Sequence, residues 1–170
     1  MGFFFNADEI LEIALQIERN GARFYRLAAE GAADSRLHKL FLDLAAMEDE
    51  HEKVFAVLRA DLSDKEKEPA VFDPDNETAL YLKAMADVNV FDVREDPSQR
   101  LTGKEAMEDI FRTALGLEKD SISFYAGLKY MVPQRLGHAR IDAIIKEEMG
   151  HVAKLSNELV SLKEEVEKTE

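Results

Sequence analysis

The sequence predicts an all-α protein: a four-helix bundle built from two helical hairpins and joined by a long crossover that contains a short helix. Three observations predict it. Apolar residues recur at helical spacing over four long stretches, with only four prolines in 170 residues. The chain also repeats itself at an offset of 100. Ala14-Leu15-Gln16-Ile17-Glu18 is answered by Ala114-Leu115-Gly116-Leu117-Glu118, Phe24-Tyr25 by Phe124-Tyr125, and Glu48-Asp49-Glu50-His51 by Glu148-Met149-Gly150-His151. Finally, the helical period is lost over 63–101, too long for a hairpin turn and about right to run the length of a bundle. The expected organisation is one domain, with a hairpin over 6–62, a crossover over 63–101 and a hairpin over 102–166.

The first helix begins near Asn6, where Asn6 and Glu9 have capping-box spacing, and Ile10, Leu11, Ala14, Ile17, Ala22 and Tyr25 form its inner stripe to about Ala29. Asp34-Ser35 supplies a new cap after Gly31. The second helix spans about 36–62, with Leu37, Leu40, Phe41, Leu44, Phe55 and Leu58 inward. Within the crossover a shorter helix is expected over 77–90, turning Leu80, Tyr81, Ala84 and Met85 inward. Thr102, with Glu105 three residues on, has the spacing of a cap for the third helix, which Pro133 ends. Its stripe is Met107, Ile110, Phe111, Ala114, Leu117 and Tyr125. The fourth runs from about Gln134 to Val166 with Ile141, Ile144, Ile145, Leu155 and Leu159 inward.

Composition narrows the function. A formal net charge of −13 argues against nucleic acid and anionic membrane as partners. With no cysteine, the chain cannot form a disulfide or ligate an iron–sulfur cluster. The apolar start Met1-Gly2-Phe3-Phe4-Phe5 ends at once in Asn6-Ala7-Asp8-Glu9, unlike a signal peptide, and no run is long enough to span a bilayer, so a cytoplasmic protein is expected.

The chemistry lies in the residues that interrupt the apolar stripes. Glu-x-x-His on a helix places a carboxylate and an imidazole on one face, about 5–6 Å apart at the Cβ atoms, within reach of one metal ion. Glu48 with His51, and Glu148 with His151, lie on the inner faces of their helices, as do Glu18 and Glu118. Buried carboxylates without partners cost several kcal/mol each, roughly, and repel one another, so six such residues are not a stability device. Two divalent cations resolve this: four negative charges meet four positive, and neutral imidazoles complete the set. Oxygen and imidazole donors without thiolate favour iron or manganese, with zinc a substitute in purified protein. Tyr25 and Tyr125, two turns beyond Glu18 and Glu118, are candidates to touch the centre, though first of all core residues whose hydroxyls need a partner. His38 and His138 also repeat, but each lies about 280° round and ~15 Å along the helix from its glutamate, on the surface. Met47 and Met149 are expected to serve packing.

These residues resemble those of the ferritin-like di-iron superfamily, in its rubrerythrin-like branch, over nearly the whole chain. The resemblance implies a ferritin-like bundle in which Glu48 and Glu148 bridge two metals, Glu18 and His51 bind one, and Glu118 and His151 the other. The six residues are also similar to a bacterioferritin ferroxidase centre. Two departures stand. Rubrerythrins carry a rubredoxin-like domain whose iron sits on four cysteines, and this chain has none. They also carry a further glutamate one turn after the third-helix ligand, where this sequence has Ser121. The resemblance implies a di-iron redox enzyme reducing peroxide or dioxygen with electrons from a separate donor protein, and a homodimer. Ferrous oxidation with iron storage or delivery is the alternative, and a non-catalytic bundle stapled by metal is the third.

Overall fold

A computed structural model of the chain describes residues 6–67, 80, 81, 84, 98 and 101–168. Four long helices dominate: α1 (Ala7–Gly31), α2 (Ser35–Ala60), α3 (Met107–Met131) and α4 (His138–Glu167), with no strand among the described residues. Short connections fold α1 onto α2 and α3 onto α4, and the two hairpins close on each other through α1 against α3 and α2 against α4.

Local chemistry sets the helix starts. Asn6 accepts from the Glu9 amide at 2.8 Å and Glu9 accepts from the Asn6 amide at 3.0 Å, so the capping box is complete. Asp34 caps α2 by accepting from the Arg36 amide at 2.7 Å. The start of α3 differs from the expectation. It begins at Met107, and its cap residue, Ala106, offers no side-chain bond. The Thr102–Glu105 pair instead closes a loop before the helix. The Thr102 hydroxyl donates to the Glu105 carboxylate at 2.6 Å rather than accepting from an amide, and the Thr102 and Gly103 amides donate to the same carboxylate. Gly103, at φ 77°, holds a left-handed conformation that no helix continues. The start of α4 differs for the same reason. Residues 134–136 form one 3₁₀ turn, Gly137 sits at φ 94°, and the α-helix begins only at His138.

Three described residues of the crossover depart from their expected orientation. Leu80, Tyr81 and Ala84 are helical, yet all three are exposed rather than inward. Tyr81 lies outside α3, its hydroxyl donating to the Ser123 carbonyl at 2.8 Å. The four long helices fill the core with their own stripes, which leaves Leu80, Tyr81 and Ala84 only the outer surface. Met85, the other residue expected inward, falls outside the described residues.

The core is two apolar clusters with a polar belt between them. One gathers Ile10, Leu11, Ala14, Phe55, Leu58, Phe124, Tyr125, Leu128, Ile141 and Ile144. The other gathers Phe24, Tyr25, Ala28, Leu37, Phe41, Leu44, Ile110, Phe111 and Leu155. Along each helix the interrupting glutamate, or Glu-x-x-His, falls between the residues given to one cluster and those given to the other. Surface pairs stitch the hairpins, Arg59 to Asp8 at 2.8 and 2.9 Å and Lys129 to Asp142 at 2.7 Å, each worth under about 1 kcal/mol.

Candidate metal centre

In the belt the structure brings together all six residues singled out from sequence: Glu18, Glu48, His51, Glu118, Glu148 and His151, each at most 5% exposed. They form two overlapping groups whose potential ligand atoms lie within 4.8 Å of one another. One is Glu18, Glu48, His51 and Glu148; the other is Glu48, Glu118, Glu148 and His151. Glu48 and Glu148 belong to both. The two imidazoles face each other with ring centres 5.9 Å apart and planes 23° apart.

Both histidines turn Nδ1 inward. His51 Nδ1 lies 3.0 Å from Glu148 Oε1 and 3.7 Å from Glu18 Oε2. His151 Nδ1 lies 2.8 Å from Glu148 Oε2, 3.4 Å from Glu118 Oε1 and 3.6 Å from Glu48 Oε1. Close as they are, Glu18 Oε2, Glu48 Oε1, both Glu148 oxygens and both Nδ1 atoms are buried without a hydrogen bond of proper geometry. Native proteins pair nearly all such atoms. Oxygen and nitrogen atoms gathered within 4.8 Å of one another and left without partners are what a cation can satisfy. The donor set therefore fits two divalent ions.

Electrostatics point the same way. Burial pushes Glu18 up to about 8, and the nearby charges of Glu148 and Glu118 add to the rise. Burial likewise lifts Glu118 to about 7. Glu48 is raised well above the carboxylate range by burial, then by Glu18 and Glu148. Burial also acts to raise Glu148, but His151 and His51 outweigh it and hold that carboxyl down at about 2. Burial disfavours both imidazolium ions, yet the carboxylates win, lifting His51 to about 9 and His151 to about 10. Without metal, protons neutralise the cluster in place of cations.

The tyrosines act across the bundle. Tyr125 of α3 donates to Glu18 Oε1 on α1 at 2.5 Å, and Tyr25 of α1 donates to Glu118 Oε1 on α3. Each leaves its apolar cluster to fix a glutamate of the opposite hairpin. His38 and His138 stay away from the belt. His38 Nδ1 lies 2.8 Å from the Ala29 carbonyl and His138 Nε2 lies 2.8 Å from the Val132 carbonyl, each at the end of the preceding helix. Ser121 donates to the Leu117 carbonyl at 3.0 Å and brings no carboxylate.

Met149 is 59% exposed and so does not serve packing as expected, whereas Met47 packs against the centre, its Sδ 3.3 Å from His151 Nε2. Met47 also lines a surface cleft of about 300 Å³ with Arg36, Lys39, Leu44 and Lys154. Sequence reasoning passed over two residues. Glu147 Oε2 lies 2.8 Å from His51 Nε2, and Gly21 makes room for Glu48, since a Cβ there would sit 3.3 Å from Glu48 Oε2. Neither repeats at the offset of 100, since Glu147 is the counterpart of Met47 and Gly21 of Ser121, so the repeat gave no signal for them.

Comparison with known proteins agrees with this architecture. No curated protein sequence matches the chain. A crystal structure from Thermotoga maritima, of a protein described as ferritin-like and diiron-carboxylate, superposes with a TM-score of 0.67 at 23% identity, covering 92% of this chain and 96% of that one. That likeness establishes the ferritin-like fold. The sequence profile of the rubrerythrin family matches residues 9–159. With the family profile spanning all four helices and the buried Glu/His cluster between them, the chain belongs to the rubrerythrin family.

Proposed function

We propose that the six residues hold two iron ions and that the protein is a redox enzyme reducing peroxide or dioxygen. The observation that supports this is the convergence of buried, unpaired donor atoms on two groups that share Glu48 and Glu148. In this reading Glu48 and Glu148, which belong to both groups, would be held in common by the two positions, while Glu18 and His51 would complete one and Glu118 and His151 the other. Two ferrous ions bound there would supply the two electrons that convert one peroxide and two protons into two waters.

The chain's own residues prepare the place. The two apolar clusters keep bulk water from either end of the belt. Tyr25 and Tyr125 hold Glu118 and Glu18 in fixed orientations, so the carboxylates do not collapse onto each other. The carboxyls raised by burial bind protons beside the bridging position when cations are absent. A separate donor protein is the proposed source of electrons. A homodimer is the proposed assembly.

Anaerobic reconstitution with ferrous iron, followed by peroxide titration, tests the reading. The expected result is two iron ions per chain and one peroxide consumed per two ferrous ions, with Glu148→Ala losing both. A stoichiometry that cannot be raised above one ion, or unchanged peroxide consumption in Glu148→Ala, overturns it. Uptake of many ions per chain by a large hollow assembly would instead mark an iron-handling protein.

A further inference from the structure

We infer that the two metal positions are unequal, and that the pair Glu147 and Met47 makes them so: Glu147 positions His51 as the stronger donor, so the first metal goes to the position of Glu18 and His51. This rests on the dinuclear reading above.

The core of the centre is close to twofold symmetric: Glu18, Tyr25, Glu48 and His51 each have an identical counterpart 100 positions on. The symmetry fails one step outward. His51 turns Nε2 away from the centre and onto the Glu147 carboxylate at 2.8 Å, across from α2 to α4. His151 turns Nε2 away in the same sense, but there the counterpart residue is Met47, with Sδ at 3.3 Å. Both contacts cross between the same two helices and occupy equivalent places. Only the chemistry of the partner differs.

That difference acts on the inward nitrogen. A neutral imidazole has one N–H and one lone pair, and whichever partner binds the N–H decides where the lone pair points. A carboxylate on Nε2–H holds the proton outside, aims the Nδ1 lone pair at the centre, and pushes electron density toward it. A thioether is a weak acceptor and does little of either. His51 is therefore both better oriented and a better donor than His151. Outer partners of metal-bound histidines typically change metal affinity about 10–100-fold. The side chain of Glu147 is 52% exposed, so its substitution leaves the apolar clusters intact.

Anaerobic calorimetric titration of the metal-free protein with ferrous iron tests the inference, with Glu147→Gln and Glu147→Ala beside the parent. Two separate steps are expected for the parent. The tighter step should weaken in the order Glu, Gln, Ala, reaching about tenfold or more for Ala. The weaker step should not change, which excludes a general loss of structure. The tighter step should vanish in Glu18→Ala and persist in Glu118→Ala. Met47→Glu, which gives His151 a carboxylate, should tighten the weaker step and bring the two together. Two indistinguishable steps in the parent, or equal weakening of both steps by Glu147→Ala, overturns the inequality while leaving the dinuclear reading in place. A parent that binds fewer than two ions overturns both.

Discussion

A tyrosine hydroxyl donating to a buried carboxylate supplies the partner that burial would otherwise deny and fixes the plane of the acid. Tyr25→Phe and Tyr125→Phe remove that bond without opening a cavity, leaving Glu118 and Glu18 one donor short. Each substitution is expected to cost about 1–3 kcal/mol of stability. Because the contacts cross between hairpins, Tyr25→Phe should disturb the position of Glu118 and His151, and Tyr125→Phe that of Glu18 and His51. Denaturant unfolding and metal titration of the two variants check both statements. The four histidines give the contrast. His51→Ala and His151→Ala should each weaken one metal position. His38→Ala and His138→Ala should leave stoichiometry unchanged and cost about 1 kcal/mol, since each loses one contact to a carbonyl at a helix end. At this scale the sequence revealed the six central residues because each breaks an apolar stripe twice, at the same offset. It concealed Glu147, which sits on an exposed face where a glutamate ordinarily meets only water, and Gly21, whose role is the absence of a side chain.

Helix existence followed from apolar period, whereas helix starts followed from single residues whose spacing can mislead. Asn6-x-x-Glu9 and Thr102-x-x-Glu105 look alike in sequence, but only the first caps a helix. The second contains Gly103, whose positive φ lets the amides of 102 and 103 turn onto one carboxylate. The crossover shows a different limit. An apolar face on a short helix marks partial burial but not which surface covers it, and Leu80 and Tyr81 remain 57% and 41% exposed. Gly137 offers a test of the hinge between α3 and α4. At φ 94° any side chain is strained whatever the space around it, so Gly137→Ala should destabilise the protein by about 1–2 kcal/mol. Gly31, with open space around it and no such φ, is the control: Gly31→Ala should be neutral or slightly stabilising in the same unfolding experiment.

Over the whole molecule the two apolar clusters favour folding and the belt between them opposes it unless its charges are balanced, so stability should report the state of the centre. The sign follows from the individual groups. Glu18, Glu48 and Glu118 have folded pKa values raised above the usual carboxylate value, mainly by burial. His51 and His151 are raised to about 9 and 10 by the carboxylates around them. For every one of these groups the folded state binds more protons than the unfolded state between the two pKa values. Its contribution is therefore fully present below the unfolded pKa and is lost as pH rises through the folded one. The carboxyls begin the loss above about pH 4.5 and the histidines extend it from about 6.5 towards 9 or 10. Glu148, held at about 2, works in the opposite sense, but only below about pH 4.5. Metal-free protein should thus become less stable at each step from pH 5 to 9. Bound divalent ions replace those protons, so the loaded protein should show a flat or rising profile and the gap between the two forms should widen with pH. Urea unfolding of both forms at pH 5, 6, 7, 8 and 9 measures the gap directly. Metal-free stability that rises over this range would mean that the belt does not hold its carboxyls protonated, and the electrostatic account of the centre would fail with it.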